Sequence, residues 1–219
     1  MIDPKKLLYV SDLDGTLLNG EGQLSEDSVK RINRLIDKGL NFTIATARNY
    51  DSAYPLLKDL NLKYPVILFN GVYLTELHTG ENLFLSNFIS LDIISKIISL
   101  AEAQKVAPFI YTYGSKHLVY YKEVNNLGAK SYVDIISSDQ RAHKVNEFIF
   151  SDSEQISGFL LIDVSEVLEP IYTELRTLYK DALNIYFAPD VSNPNFFWLQ
   201  CFHLGANKGK MLKKMTTLK

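Results

Sequence analysis

The sequence predicts an α/β fold: a parallel-sheet core in two segments, with an α+β domain inserted between them. Three observations predict it. Short apolar runs alternate with helical periodicity from Leu7 to Phe69, the pattern of strands joined by crossover helices. A longer, aromatic-rich stretch with hairpin signals follows from Leu83 to Leu199, and a loop entering a helix comes after it at residues 205–212. The 219 residues are 47% hydrophobic and 22% charged, enough for two small domains or one large one and too apolar for a disordered or low-complexity protein. The expected segments are a core at 1–82, an insertion at 83–199 and a return to the core at 200–219.

Each element has its own signal. Leu7-Leu8-Tyr9-Val10 lacks polar alternation and reads as a strand buried on both faces. Asn19-Gly20-Glu21-Gly22 is a turn, and Ser25 is placed to cap the helix after it. Leu24 and Val29 are spaced as a hydrophobic staple. Val29, Ile32, Leu35 and Ile36 share a helical face, and Gly39 sits at the C-cap. Asn41 to Thr46 is the second strand. Pro55 suits the first turn of a helix running to Leu60. Pro65 precedes a third strand, Val66 to Phe69. In the insertion, Tyr111 to Ser115 followed by Leu118 to Tyr121 reads as a hairpin. Leu91 to Gln104 and Ser165 to Tyr179 read as amphipathic helices.

Charge and cysteine content exclude several functions. Lys plus Arg total 23 and Asp plus Glu total 25, a net charge of −2. Such a balance offers no long-range field for nucleic acid or an anionic membrane. The single cysteine, Cys201, cannot form an internal disulfide and fits a reducing compartment as a buried small hydrophobe. Lys5-Lys6 precede only four apolar residues, too few for a signal-peptide core, and Phe88 to Leu100 is interrupted by Ser90, Asp92, Ser95 and Lys96. A cytoplasmic location is expected. His78, His117, His143 and His203 lack metal-ligand spacing and read as structural.

Ligands of open parallel sheets bind beyond the carboxyl ends of the strands. There the first strand runs into Ser11-Asp12-Leu13-Asp14-Gly15-Thr16, the second into Thr46-Ala47-Arg48 and the third into Asn70-Gly71. Two carboxylates, hydroxyls, a guanidinium and an amide therefore converge on one rim. Paired ionised acids call for a cation, and oxygen-only donors favour a hard ion such as Mg²⁺. An aspartate held this way can attack phosphorus, while its neighbour moves the proton. Gly15 lets the backbone turn sharply beside an anion. Lys208, at a helix start, is opposed by the macrodipole and would be satisfied by a bound anion.

Ser11-Asp12-Leu13-Asp14-Gly15-Thr16-Leu17-Leu18 resembles the first motif of the haloacid dehalogenase superfamily of phosphohydrolases. Thr43-Ile44-Ala45-Thr46-Ala47-Arg48 resembles the second, Asn70-Gly71 the segment that follows in the Cof-type branch, and Asn207-Lys208-Gly209 the third. The resemblance implies an incomplete Rossmann-like core with an inserted α+β (type IIB) cap. It implies Asp12 as nucleophile and metal ligand, Asp14 as acid/base with its backbone carbonyl on the metal, and Thr46 and Lys208 on the phosphoryl group. Gly15, Thr16, Arg48, Asn70 and Gly71 would face substrate. The implied function is Mg²⁺-dependent hydrolysis of a small phosphorylated metabolite, a sugar phosphate or nucleotide, through an aspartyl-phosphate.

The resemblance also implies a fourth, acidic motif after the Lys208 helix, which these 219 residues do not contain. Without its strand, Leu7 to Val10 would be an open apolar edge inviting self-association. Three resolutions stay open: a fragment of a longer protein, which is favoured; an edge covered by another protein or a rearranged segment; or a shortened, weakened relative. The alternative functions are a catalytically silent phospho-ligand module and an interaction protein using the open edge.

Overall fold

A computed structural model describes residues 7–114, 117–138, 140–151, 153–191 and 193–217. The protein divides into two compact units, one built from residues up to Ser86 together with those from Ala206 onward, the other from Asn87 to Gly205. These divisions differ from the sequence boundaries at 82/83 and 199/200 by a few residues. The strand Asn82–Leu85 pairs back into the first unit, and Phe197–His203 runs unbroken through the sheet of the second.

The first unit begins with β1 (Leu8–Ser11), α1 (Glu26–Asp37) and β2 (Asn41–Ile44). β1 and β2 pair in parallel, with Leu8 opposite Asn41 and Ser11 opposite Ile44. Ser25 caps α1 by accepting a hydrogen bond from the Ser28 amide at 3.1 Å, satisfying one donor of the first turn. α1 closes as the Gly39 amide reaches the Ile36 carbonyl and the Leu40 amide the Leu35 carbonyl, both at 2.9 Å. A single parallel bridge, Ala45 to Ile67, joins β2 to β3 (Val66–Leu68). β3 continues antiparallel into β4 (Tyr73–Thr75) and β5 (Asn82–Leu85), a hairpin extension that no sequence signal separates from the insertion. α6 (Lys208–Met215) returns to this unit, where Met211 and Met215 pack with Ala45, Ile67 and Leu74.

Two expectations are corrected. β1 is not buried on both faces: Tyr9 and Val10 are 42% and 37% exposed. Among the described residues β2 is its sole strand partner, so its far edge and part of its apolar surface face outward. Pro55 does not open its helix. α2 spans Tyr50–Leu57 and starts at Asn49, whose side chain accepts from the Ser52 amide at 3.1 Å. The Asn cap outranks the proline as a start signal, and Pro55 falls within the helix, which ends two residues later.

The second unit is a six-stranded sheet ordered β10-β11-β9-β6-β7-β8. Its strands are β6 (Pro108–Tyr113), β7 (Val119–Tyr121), β8 (Ala142–Lys144), β9 (Gln155–Asp163), β10 (Leu183–Pro189) and β11 (Phe197–His203). The expected hairpin is β6–β7, antiparallel with Phe109 opposite Tyr121, although its Ser115 lies outside the described residues, as do Lys5 and Lys6. α3 (Leu91–Ala103) and α5 (Ser165–Tyr179) form where their periodicity placed them. Their buried Ile94, Ile97, Leu168 and Leu175 share one core with Ile110, Phe159, Leu161 and Leu199 of the sheet. α4 (Leu127–Ser138) sets Tyr132 edge-on to Phe109 and Trp198, with ring centroids 4.9 and 5.4 Å apart. Cys201 is fully buried here, and burial pushes its thiol well above the ordinary range. No helix among the described residues is long and apolar enough to cross a membrane.

Candidate active site

The turn after β1 is organised around Leu13, which is fully buried. Its carbonyl accepts from the amides of Thr16, Leu17 and Leu18 at 3.2, 2.9 and 3.0 Å, winding the backbone tightly. The reversal needs a left-handed residue, and Gly15 supplies it at φ +68°. Anchoring Leu13 leaves its neighbours outside: Asp14, Gly15 and Thr16 are exposed and Asp12 is half-buried. One oxygen of Asp12, Oδ1, accepts from the Leu13 amide at 2.7 Å. The other, Oδ2, accepts from Lys208 Nζ at 2.6 Å across 196 positions of sequence. That pair joins the opening strand to the first residue of α6.

Asp14 turns to a different cation. Arg48 donates Nε to Oδ2 at 2.9 Å and Nη2 to Oδ1 at 2.7 Å, a planar two-pronged match. The Arg48 hydrogen bonds hold the Asp14 carboxyl below its usual range, and burial, acting the other way, only partly offsets them. Thr46 is fully buried, and its Oγ1 accepts from the Arg48 amide at 3.1 Å, so it fixes the backbone from which the guanidinium projects.

Asn70 and Gly71 belong to a tight turn over Phe69–Gly71. Phe69, Asn70 and Gly71 take φ values of +51°, +55° and +91°. Three successive left-handed residues, one of them a phenylalanine, are costly and persist only where surroundings enforce them. The enforcement is visible: the Phe69 amide donates to the Arg48 carbonyl at 2.8 Å and the Asn70 amide to the Thr46 carbonyl at 3.1 Å. The structure therefore brings Asp12 to Lys208 and Asp14 to Arg48, and ties Asn70 to Thr46 through the backbone. Thr16 sits on the exposed turn, bonded to the Leu13 carbonyl by its amide.

Sequence reasoning leaves one contributor outside the site. Asn207 caps α6, its Oδ1 accepting from the Gly209 and Lys210 amides at 2.9 and 3.1 Å. The signal is present, since Asn directly before a helical run is a start signature. It is eclipsed by the lysine beside it.

Two carboxylates within one turn and no nitrogen or sulfur donor make an oxygen donor set of the kind Mg²⁺ accepts, with water and substrate oxygens completing the shell. Among the described residues no group of three or more His, Cys, Asp or Glu assembles anywhere. The Asp12 and Asp14 side chains are 44% and 55% exposed, open enough to take part.

A model of the haloacid dehalogenase-like hydrolases matches residues 9–219. The chain belongs to that family. As a haloacid dehalogenase-like protein it is similar to a Bacillus subtilis phosphatase of 5-amino-6-(5-phospho-D-ribitylamino)uracil, 29% identical over 105 residues, 48% of this chain and 39% of the relative. It is also similar to the pyridoxal phosphate phosphatase of Escherichia coli, 36% identical over 67 residues, 31% of this chain and 25% of the relative. The chain thus spans well under two thirds of the length of these curated relatives. A haloacid dehalogenase-like hydrolase from B. subtilis shares the fold at a TM-score of 0.74, with 18% identity, over 95% of this chain and 77% of that one. Another from Bacteroides thetaiotaomicron does so at 0.71, with 19% identity, over 94% and 74%.

Proposed function

We propose that this family member is a phosphohydrolase of small phosphorylated metabolites that works through an aspartyl-phosphate on Asp12. The observation that carries the reading is the contact of Lys208 Nζ with Asp12 Oδ2 at 2.6 Å, a carboxylate oriented and charge-balanced at the rim of a parallel sheet. Phosphatase names among the relatives support the same class of substrate. The inserted unit, residues 83–199 in the sequence reading, takes the role of substrate-selecting cap in this proposal.

In the first step an Asp12 oxygen forms a bond to phosphorus as the bond to the leaving oxygen breaks, and that oxygen takes a proton from Asp14. In the second, Asp14 takes a proton from water as the water oxygen bonds to phosphorus, releasing phosphate and restoring Asp12. Lys208, and the Thr46 hydroxyl if its proton is turned outward, stabilise charge on the transferring oxygens. Arg48 keeps Asp14 ionised in the ligand-free protein, so proton donation requires the two-pronged pair to open and Asp14 first to take up a proton from water. Mg²⁺, held by the Asp12 carboxylate and the Asp14 backbone carbonyl, would supply charge neutralisation between nucleophile and phosphate. Gly15, Thr16, Asn70 and Gly71 frame the substrate in this reading.

The test is hydrolysis of an aryl phosphate with Mg²⁺ by the parent protein and by Asp12→Asn. Loss of hydrolysis in the variant is expected, and equal rates would remove Asp12 as nucleophile. A second reading of the same Asp12–Lys208 contact is a phospho-ligand module without turnover. Calorimetry with inorganic phosphate and a sugar phosphate separates the two: binding heat without hydrolysis selects the module.

A further inference from the structure

The Phe69–Gly71 turn touches more than the second strand. A Cβ built on Gly71 would lie 2.5 Å from the carbonyl carbon of Asn207, 2.6 Å from its carbonyl oxygen and 2.8 Å from its amide nitrogen. Those atoms belong to backbone and cannot swing aside as a side-chain tip would. Asn207 is the residue from which α6 starts: its side chain accepts from the Gly209 and Lys210 amides of the first turn, and its carbonyl accepts from the Met211 amide at 2.9 Å. The next residue is Lys208. The same turn is bonded through Phe69 and Asn70 to the carbonyls of Arg48 and Thr46. One strained turn therefore abuts the backbone that carries Arg48 and the backbone that carries Lys208.

From this we infer that Gly71 is a positioning residue for Lys208. Its bare Cα lets the turn abut the Asn207 backbone, and that contact sets where α6 begins and hence where Nζ meets Asp12. The role rests on the proposed function of Lys208 at the phosphoryl group. It gives a reason for the glycine that does not depend on contact with substrate. Any side chain at 71 would both oppose a φ of +91° and displace Asn207.

The experiment reads the amine directly. Competitive acetylation of the folded protein, quantified by peptide mass spectrometry, compares Lys208 with the exposed Lys213. In the parent, Lys208 is expected to label more slowly than Lys213 because its Nζ is held on Asp12, and Asp12→Asn is expected to raise its labelling several-fold. Gly71→Ala is expected to raise Lys208 labelling to the Asp12→Asn level with Lys213 unchanged, and the double variant to add nothing further. Parent-level labelling of Lys208 in a folded Gly71→Ala protein overturns the inference. Should that variant not fold, hydrogen exchange on the parent decides. The amides of Phe69, Asn70 and Met211 are expected to open as one unit, and exchange at Met211 faster by about tenfold or more would overturn the coupling. Failure to hydrolyse aryl phosphate would defeat the proposed function and leave both of these readouts standing.

Discussion

At the scale of single residues the site consists of two ion pairs with different tasks. Lys208 meets Asp12 end-on, a point charge on one oxygen, whereas Arg48 grips both oxygens of Asp14. The Arg48 pair predicts an acid-side effect. The folded Asp14 carboxyl lies below its usual value, so its stabilising contribution is present above the unfolded pKa and is lost as pH falls through the folded one. Arg48→Ala should bring the Asp14 carboxyl back toward its ordinary range in an NMR titration and flatten that part of the acid-unfolding curve. The effect is modest because the Asp14 side chain is 55% exposed. An unchanged Asp14 titration in Arg48→Ala would show the pair to be absent in solution. Asp12, Asp14 and Lys208 stand out in the sequence as candidates because carboxylate spacing and a lysine at a helix start are local facts. The partner of each was not: pairing Asp14 with Arg48 spans 34 positions and Asp12 with Lys208 spans 196, and only the folded sheet decides between those matches.

At the scale of elements, local chemistry succeeded where caps and periodicity acted alone and failed where signals competed. α1, α3 and α5 formed on their expected residues, with the Ser25 cap in place. α2 shifted because Asn49 and Pro55 gave rival starts. β4 and β5 are not legible because no sequence signal separates them from the insertion that follows. In the second unit, β7 offers an element-scale prediction. Buried Tyr120 donates its hydroxyl to Glu154 Oε1 at 2.6 Å. Burial first, and the Glu154 carboxylate second, push its pKa from 10.0 up to about 12. Folding therefore favours the protonated phenol: the contribution is complete below the unfolded value and is lost as pH rises from about 10 to about 12. Denaturant melts across that range should show a shallower alkaline loss of stability in Tyr120→Phe than in the parent. An identical slope in both would show that the phenol does not drive it.

At the scale of the whole molecule, the two-segment core with an insertion was readable from the order of its elements, while exposure was not. The β1 run looked like a strand enclosed on both faces, yet Leu7, Tyr9 and Val10 are 38%, 42% and 37% exposed, because enclosure depends on neighbours that a strand's own residues do not encode. The third strand likewise joins the parallel pair by a single bridge and then turns into an antiparallel hairpin. What the fold accomplishes is to carry a lysine from the far end of the sequence to the aspartate of its first loop, and the proposed chemistry depends on that convergence. The most direct measurement is acid quench of the protein during turnover of a radiolabelled phosphate monoester, followed by peptide mapping. Label on the peptide containing Asp12, absent in Asp12→Asn, is the predicted result. Steady hydrolysis with no label on that peptide, or with label on another, would contradict the account.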